Sequence, residues 1–370
     1  MPPNISSIQA HPVMGELCQT LKRHPKRIVF PDGEDIRVLH TAARMVTMEI
    51  GVPILLGNKQ RIEQMAHENG VDMTFVSIIE PAKSCELELF VSRLAKMSRY
   101  RKKKIVDPNE IITRPHNFAA MMVQYGHADG MVAGNASTAV SVFRAALSMI
   151  KPLSSVKKIF GVSVLIAPDL KNFGKDGVLL MADCGVIPKP DIEELASIAL
   201  ETGKLASRLL GRPPRVAMLS HSTKGSAGTK ESKKIAAATE LARINKTKAM
   251  LEMQIDGEIQ ADVALDAAAA EVKLPNRTNL DPADVLVFPN LDAGHIALKL
   301  LEHVAGVPSY GQLLMGLTHP AAQVPTTVTE DHLLGTAILV AAEAIKSNNR
   351  QLEKEEAKNT PTTPDDGKLA

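Results

Sequence analysis

The chain has 370 residues, 45% apolar and 23% charged, more material than one ordinary core needs, and reads as two packed α/β units with a cleft between them. A formal net charge of +2 argues against nucleic acid or a membrane surface as a partner, and the absence of tryptophan with only 3% aromatics removes the stacking platforms of single-strand binders. Cys18, Cys85 and Cys184 are scattered and odd in number, away from metal-ligand spacing, which argues against a disulfide framework or zinc site and fits a reducing, cytoplasmic setting.

Met1 to Gln19 lacks the basic and apolar regions of an export signal, and no stretch approaches the ~18 apolar residues of a membrane span. From Lys26 the chain reads as strand, turn and helix, with Val38, Leu39, Ala42, Val46 and Ile50 on one helix face. Pro53 to Leu56 predicts a second strand, and a helix through Ile62, Met65 and Ala66 follows it. This βαβ rhythm implies a right-handed, parallel arrangement. Leu94 to Lys104 is the most basic stretch: it either meets a polyanionic ligand or coats a helix with solvated charge. Phe118 to Tyr125 and Asp129 to Val132 predict helix then strand, ending in Ala133 to Thr138, and a helix runs on to Ile150.

Ile159 to Ala167 and Val178 to Ala182 are apolar runs with no helix between them, so adjacent antiparallel strands are expected. Asp191 and Glu194 form a capping-box pattern ahead of a clean apolar stripe that Gly211 ends. Arg215 to Leu219 predicts a strand, Ser220 to Ser226 a loop, and Lys230 to Arg243 a helix. Asp256 to Glu258 reads as a turn, Asp284 to Phe288 as the last strand, Gly294 to Val304 and Leu333 to Ile345 as helices, and the polar residues after Ser347 as a mobile tail.

Three loops combine glycine with hydroxyl, amide or carboxylate groups where a strand hands over to a helix: Gly134 to Thr138, Ser222 to Ser226, and Asn290 to Gly294. Helix N-termini at such turns present free N–H groups that suit phosphate oxygens, although each loop taken alone reads first as an ordinary β-to-α turn. None has the spacing of an ATP or dinucleotide fingerprint.

Taken in order, the strings FPDGEDIRVLHTAA, MMVQYGHADGMVAGNAST, FRAALSMIK, GKDGVLLMADCGVIPKP, AMLSHSTKGSAG, IDGEIQADVAL and FPNLDAGHIALKL resemble the phosphate acetyltransferase family from about Lys26 to Ile345. The resemblance implies an α/β, isocitrate-dehydrogenase-like fold of two domains with mainly parallel sheets. Residues 1–155 with 308–346 would form the first domain, 156–307 the inserted second, and 347–370 a disordered tail. It also implies reversible acetyl transfer, or transfer of another short acyl group, between CoA and inorganic phosphate, with acetyl phosphate on the other side. CoA is then a substrate, no cofactor or metal is called for, and a homodimer is expected.

The resemblance carries over residue by residue. Arg144 matches the family's active-site arginine, where a guanidinium would hold phosphate bidentately; otherwise it is a helix-surface charge. Arg101, with Arg99 as the alternative, lies in the family's basic segment. Cys184 matches a cysteine near the active site that is not a required nucleophile, or is simply a buried small apolar residue. Asn135, Ser137 and Thr138 in the first loop, Ser222, Thr223, Lys224 and Gly225 in the second, and Asn290 and Asp292 in the third are the expected substrate contacts, with Lys299 in the helix beyond. Four positions after Lys299 the family's arginine is His303 here.

The departure lies at Ala322 to Thr327, where the family's serine and arginine align with Pro325 and Thr326 and its catalytic aspartate with His332, next to Asp331. Two outcomes stay open there: an imidazole base at His332 steered by Asp331, or two residues that cap the helix near Leu333. The altered loop also resembles the acetyl-CoA-binding regulatory domain of large bacterial malic enzymes, which leaves a catalytically weak or inactive homologue as the alternative.

Overall fold

The computed structural model describes residues 11–97, 107–153, 156–167, 169–170, 173–174, 176–275 and 281–359, with side chains through Ile345. Eleven strands form one sheet in the order β3-β2-β1-β4-β11-β10-β5-β6-β9-β7-β8. They are β1 Lys26–Phe30, β2 Gly51–Leu56, β3 Ser77–Ile79, β4 Gly130–Ala133, β5 Phe160–Ile166, β6 Val178–Ala182, β7 Arg215–Leu219, β8 Gln254–Ile259, β9 Val285–Val287, β10 Ser309–Met315 and β11 Ala321–Gln323.

The chain crosses with helices between parallel neighbours, because parallel strands cannot be joined by a tight turn. β3, β2, β1, β4 and β11 are mutually parallel, as are β6, β9, β7 and β8. Between the two groups, β10 pairs antiparallel with β11 and β5, and β5 pairs antiparallel with β6. The β5–β6 pair is the antiparallel neighbour expected from two apolar runs with no helix between them.

These three reversals make the two parallel groups run toward each other. The register then aligns Val132, Ala322, Leu313, Val162, Ala182, Val287 and Met218 in one row across seven strands. Val132 and Ala322 stand one residue from the ends of their strands, Ala182 and Val287 at the ends of theirs. Carboxyl ends from both groups therefore finish along a single line.

Alternation along the strands divides the core accordingly. Ile28, Phe30, Val162, Val164, Leu180, Ala182, Val216, Met218, Val285 and Val287 belong to one buried cluster that spans both groups. Their alternate neighbours fall into two clusters on the opposite face: Val29 and Met131 in one, Leu165, Met181, Ala217 and Leu286 in the other.

Several expectations are revised. β8 occupies the predicted turn at Asp256 to Glu258, because Ile255 and Ile259 are buried against β7 and Gly257 is accommodated within the strand. β10 and β11 were not expected as strands; a register shift between Tyr310 and Leu313, with Gly311 at φ +93°, breaks the alternation that would have revealed β10. The last helix runs Glu330–Asn359, past its expected end, through Gln351 to Lys358, where every residue is Gln, Leu, Glu, Lys or Ala, all good helix formers.

Candidate active site

The line of carboxyl ends opens onto a cavity of about 570 Å³ between the two opposite-face clusters. Phe143, packed against the first of these, and Leu298, part of the second, both line it. Ser137, Thr138, Gln323, Pro325 and Thr326 face it from one side, and Gly185, Asp292, His295, Ile296, Lys299 and Glu302 from the other. Gly311 and Gln312 of the irregular part of β10 supply the floor.

The first side is built around Asp32, in the turn after β1. Its carboxylate accepts from the Gly134 backbone N–H at 2.8 Å and from the Ser137 hydroxyl at 3.1 Å, and it faces His116 Nε2 at 3.1 Å. Burial pushes the Asp32 carboxyl up, but the His116 ring, the Gly134 N–H and Ser137 outweigh it and hold the group below its ordinary range. His116 Nε2 also lies 2.9 Å from Ser137 Oγ. One ring nitrogen meets both partners, so this is not the two-nitrogen relay that activates a serine nucleophile. It fixes the serine hydroxyl at the cavity wall.

Gly134 has φ +119°, and a Cβ there would stand 2.2 Å from the Val324 carbonyl oxygen. Only glycine permits that approach of the two loops. Arg37 then ties them: Nη1 donates to the carbonyls of Thr326 and Val328, each at 2.8 Å, and Nη2 donates to the Asn135 carbonyl at 2.8 Å and to Asp35 at 2.6 Å. Thr138 caps the Ala139–Met149 helix, accepting from the Ser141 N–H at 3.3 Å.

The second side is organised by Asp183, buried just beyond β6. Its carboxylate accepts backbone N–H bonds from Gly161, Gly185, Val186 and Ile187 at 2.6–3.1 Å, while burial pushes the group above the usual carboxylate range. The turn so fixed abuts the Leu291–His303 helix at Gly294, where an added Cβ would lie 2.5 Å from the Asp183 carbonyl oxygen and 3.2 Å from Cys184 Sγ. Asn290 caps that helix, accepting from the Ala293 N–H at 2.9 Å. Further along, Lys299 donates to Glu302 at 2.6 Å, and the other Glu302 oxygen accepts from Ser309.

The sequence matches the phosphate acetyl/butaryl transferase family over residues 13–341. The chain belongs to that family. A phosphate acetyltransferase of Acetivibrio thermocellus is 33% identical over 329 residues, 89% of this chain and 97% of the relative. A phosphotransacetylase structure from Staphylococcus aureus aligns with a TM-score of 0.78 at 32% identity, covering 89% of this chain and 98% of that one. One from Streptococcus pyogenes gives 0.81 at 29% identity, with 92% and 99% covered.

Within this member of the family, the structure brings Ser137, Thr138, Asp292 and Lys299 to one cavity. Asn135 is buried behind it, its amide donating to Asp35 at 3.0 Å, and Asn290 serves as a cap rather than lining it. Arg144 follows Phe143 on the Ala139–Met149 helix and is exposed, without a hydrogen bond or ion pair to a described residue. Arg101 and Arg99 lie outside the described residues. Cys184 is fully buried; burial first, then the negative charges of Asp183 and Glu302, push its thiol well above the ordinary range, so it is not poised as a nucleophile.

The expectation that three loops converge is corrected to two. Ser222, Thr223, Lys224 and Gly225 follow β7, on the far side of β9 from β6, and none of them lines the cavity. Their loop is filled by the protein's own Glu258, which accepts from Ser222 Oγ at 2.9 Å and the Gly225 N–H at 2.7 Å. Lys224 donates to Asp256 and to the Gly257 carbonyl, both at 2.6 Å, and Thr223 bonds Gln260.

Asp331 pairs with Arg44 at 2.7 Å and so is engaged away from the neighbouring ring it was expected to steer. His332 packs edge-on against Tyr310 at 5.7 Å and does not line the cavity; burial pushes its imidazole down, with Asp331 and Glu302 pulling the other way. Both sit inside the helix, whose preceding Thr329 accepts from the His332 N–H at 3.3 Å. Asp32, Arg37 and His116 hold the cavity-wall loops in place and are not among the expected site residues, although the first two lie in the quoted FPDGEDIRVLHTAA string. No group of three or more His, Cys, Asp or Glu side chains suited to a metal occurs among the described residues. No helix there is long and apolar enough to cross a membrane.

Proposed function

We propose that the chain is a phosphate acetyltransferase that moves an acetyl group between CoA and inorganic phosphate inside the 570 Å³ cavity. The observation that carries this reading is the meeting of strand ends from two opposed groups on that cavity, with a helix N-terminus at Ser137–Thr138 facing Lys299. Free N–H groups and an ammonium on facing walls suit a phosphoryl group held between them. Both substrates bind together, and the thiol sulfur attacks the acyl phosphate directly. The buried thiol of Cys184 takes no acyl group. Arg144, exposed beyond Phe143, is assigned to the phosphates of the incoming CoA or acyl phosphate.

Purified protein mixed with acetyl-CoA and phosphate is expected to release free thiol in a phosphate-dependent way and to form acetyl phosphate. Tight acetyl-CoA binding without that release would replace this reading by the regulatory one. We further assign the protein to the cytoplasm, where its three free cysteines stay reduced. A homodimer is supported by the exposed Leu300 and Val304 on the Leu291–His303 helix and its C-cap, outside the cavity lining. Light scattering at micromolar concentration tests it, and a monomer mass would refute it.

A further inference from the structure

Resting on the acyl-transfer reading, we propose that His295 is the general base that takes the proton from the CoA thiol. His295 lies three residues after Asp292 and four before Lys299 on the Leu291–His303 helix, and all three line the cavity. Its Nδ1 is 3.1 Å from the Cys184 carbonyl oxygen. A carbonyl only accepts, so Nδ1 carries the hydrogen; in the neutral ring Nε2 is then an open lone pair. No described residue bonds Nε2, and the side chain is exposed at the cavity wall.

The orienting carbonyl is itself held in place. Gln312 Nε2 donates to it at 3.1 Å, and the turn that carries it is pinned by the four backbone N–H bonds to Asp183. A ring whose tautomer and direction are set by a rigid second partner is the arrangement proton transfer requires.

The other candidates in reach are poorer bases. Asp292, in the first turn of the same helix, accepts no hydrogen bond from a described residue, so nothing orients it toward a thiol. Glu302 is engaged by Lys299 and Ser309. His332 lies off the cavity wall with its ring against Tyr310.

In the step assigned, the thiol proton moves to His295 Nε2 while the sulfur electron pair forms the C–S bond to the acetyl carbonyl carbon of acetyl phosphate. The carbon–oxygen bond to phosphate breaks, and its electron pair leaves on the phosphate oxygen. The imidazolium then returns its proton to released phosphate. In reverse, the imidazolium protonates the departing thiolate.

His295→Gln keeps an N–H for the Cys184 carbonyl but has no base, and His295→Ala leaves space for added imidazole. In both, kcat should fall by about 10²–10⁴-fold while KM for acetyl phosphate and CoA moves by less than about threefold. Imidazole in the buffer should restore His295→Ala in proportion to its concentration and leave His332→Ala unchanged. A kcat within about threefold of wild type in His295→Gln, or a loss in His295→Ala that imidazole does not relieve, overturns the proposal. A wild-type protein that releases no thiol with phosphate would instead sink the acyl-transfer reading and leave these variants irrelevant.

Discussion

Asp32 shows how one buried carboxylate sets a wall of the cavity. Its folded pKa lies below the ordinary value of 3.8 that the unfolded chain shows, so above that value the folded state is favoured by the full difference. As pH falls through the folded value the carboxylate is protonated in both states and the contribution vanishes. Asp32→Asn should therefore lower the unfolding free energy near neutral pH, the gap to wild type closing below about pH 4. Urea unfolding at stepped pH measures this; a gap that widens in acid would contradict it. Cys184 makes the opposite kind of residue-scale claim. Its thiol is buried and held protonated, so Cys184→Ala should change kcat by less than about tenfold, and thiol reagents should label Cys184 far more slowly than the exposed Cys85. Why Asp32 escaped sequence reading follows from its chemistry: an acid in an Asp-Gly turn looks like turn punctuation until its partners at positions 116, 134 and 137 are brought around it.

At the scale of elements, the Leu291–His303 helix is placed by the absence of a side chain. Gly294 lets it close on the Asp183–Ile187 turn, and an alanine there would meet the Asp183 carbonyl oxygen at 2.5 Å. Gly294→Ala is expected to cost about 1–3 kcal/mol of stability and to raise KM for CoA, because the helix that carries Lys299 must shift as a unit. Chemical denaturation and steady-state kinetics read both effects; a silent variant would mean that the turn yields instead of the helix. Elements with one clean signal were legible beforehand: the Asp191–Glu194 capping box is present, with both reciprocal bonds, and Gly211 ends that helix in the left-handed conformation. β10 was not legible. Gly311 breaks its alternation, and its inner residues are held by long-range pairing to β5, which no local pattern encodes. The site suffered likewise: loops with similar composition looked equivalent, and only the folded chain shows that the loop after β7 closes on Glu258 instead of lining the cavity.

For the whole molecule, one apolar layer runs from Met14 through Phe160 and Val285 to Ala341 and serves both parallel groups. β10 and β5 bind the groups through the sheet as well. Neither half can lose its structure without exposing the face it shares with the other. Calorimetry is therefore expected to show one heat-absorption peak with calorimetric and van't Hoff enthalpies in agreement, although the sequence divides naturally into two units. Two resolved peaks would show that the opposite-face clusters dominate instead.

The guanidinium at position 37 grips main-chain oxygens of Thr326 and Val328, not their side chains. The path of that segment is thus decoupled from its lettering. Side chains at 325 and 326 can therefore be exchanged without the backbone losing its course, and an engineer who writes serine and arginine into those positions would inherit a track already laid for them.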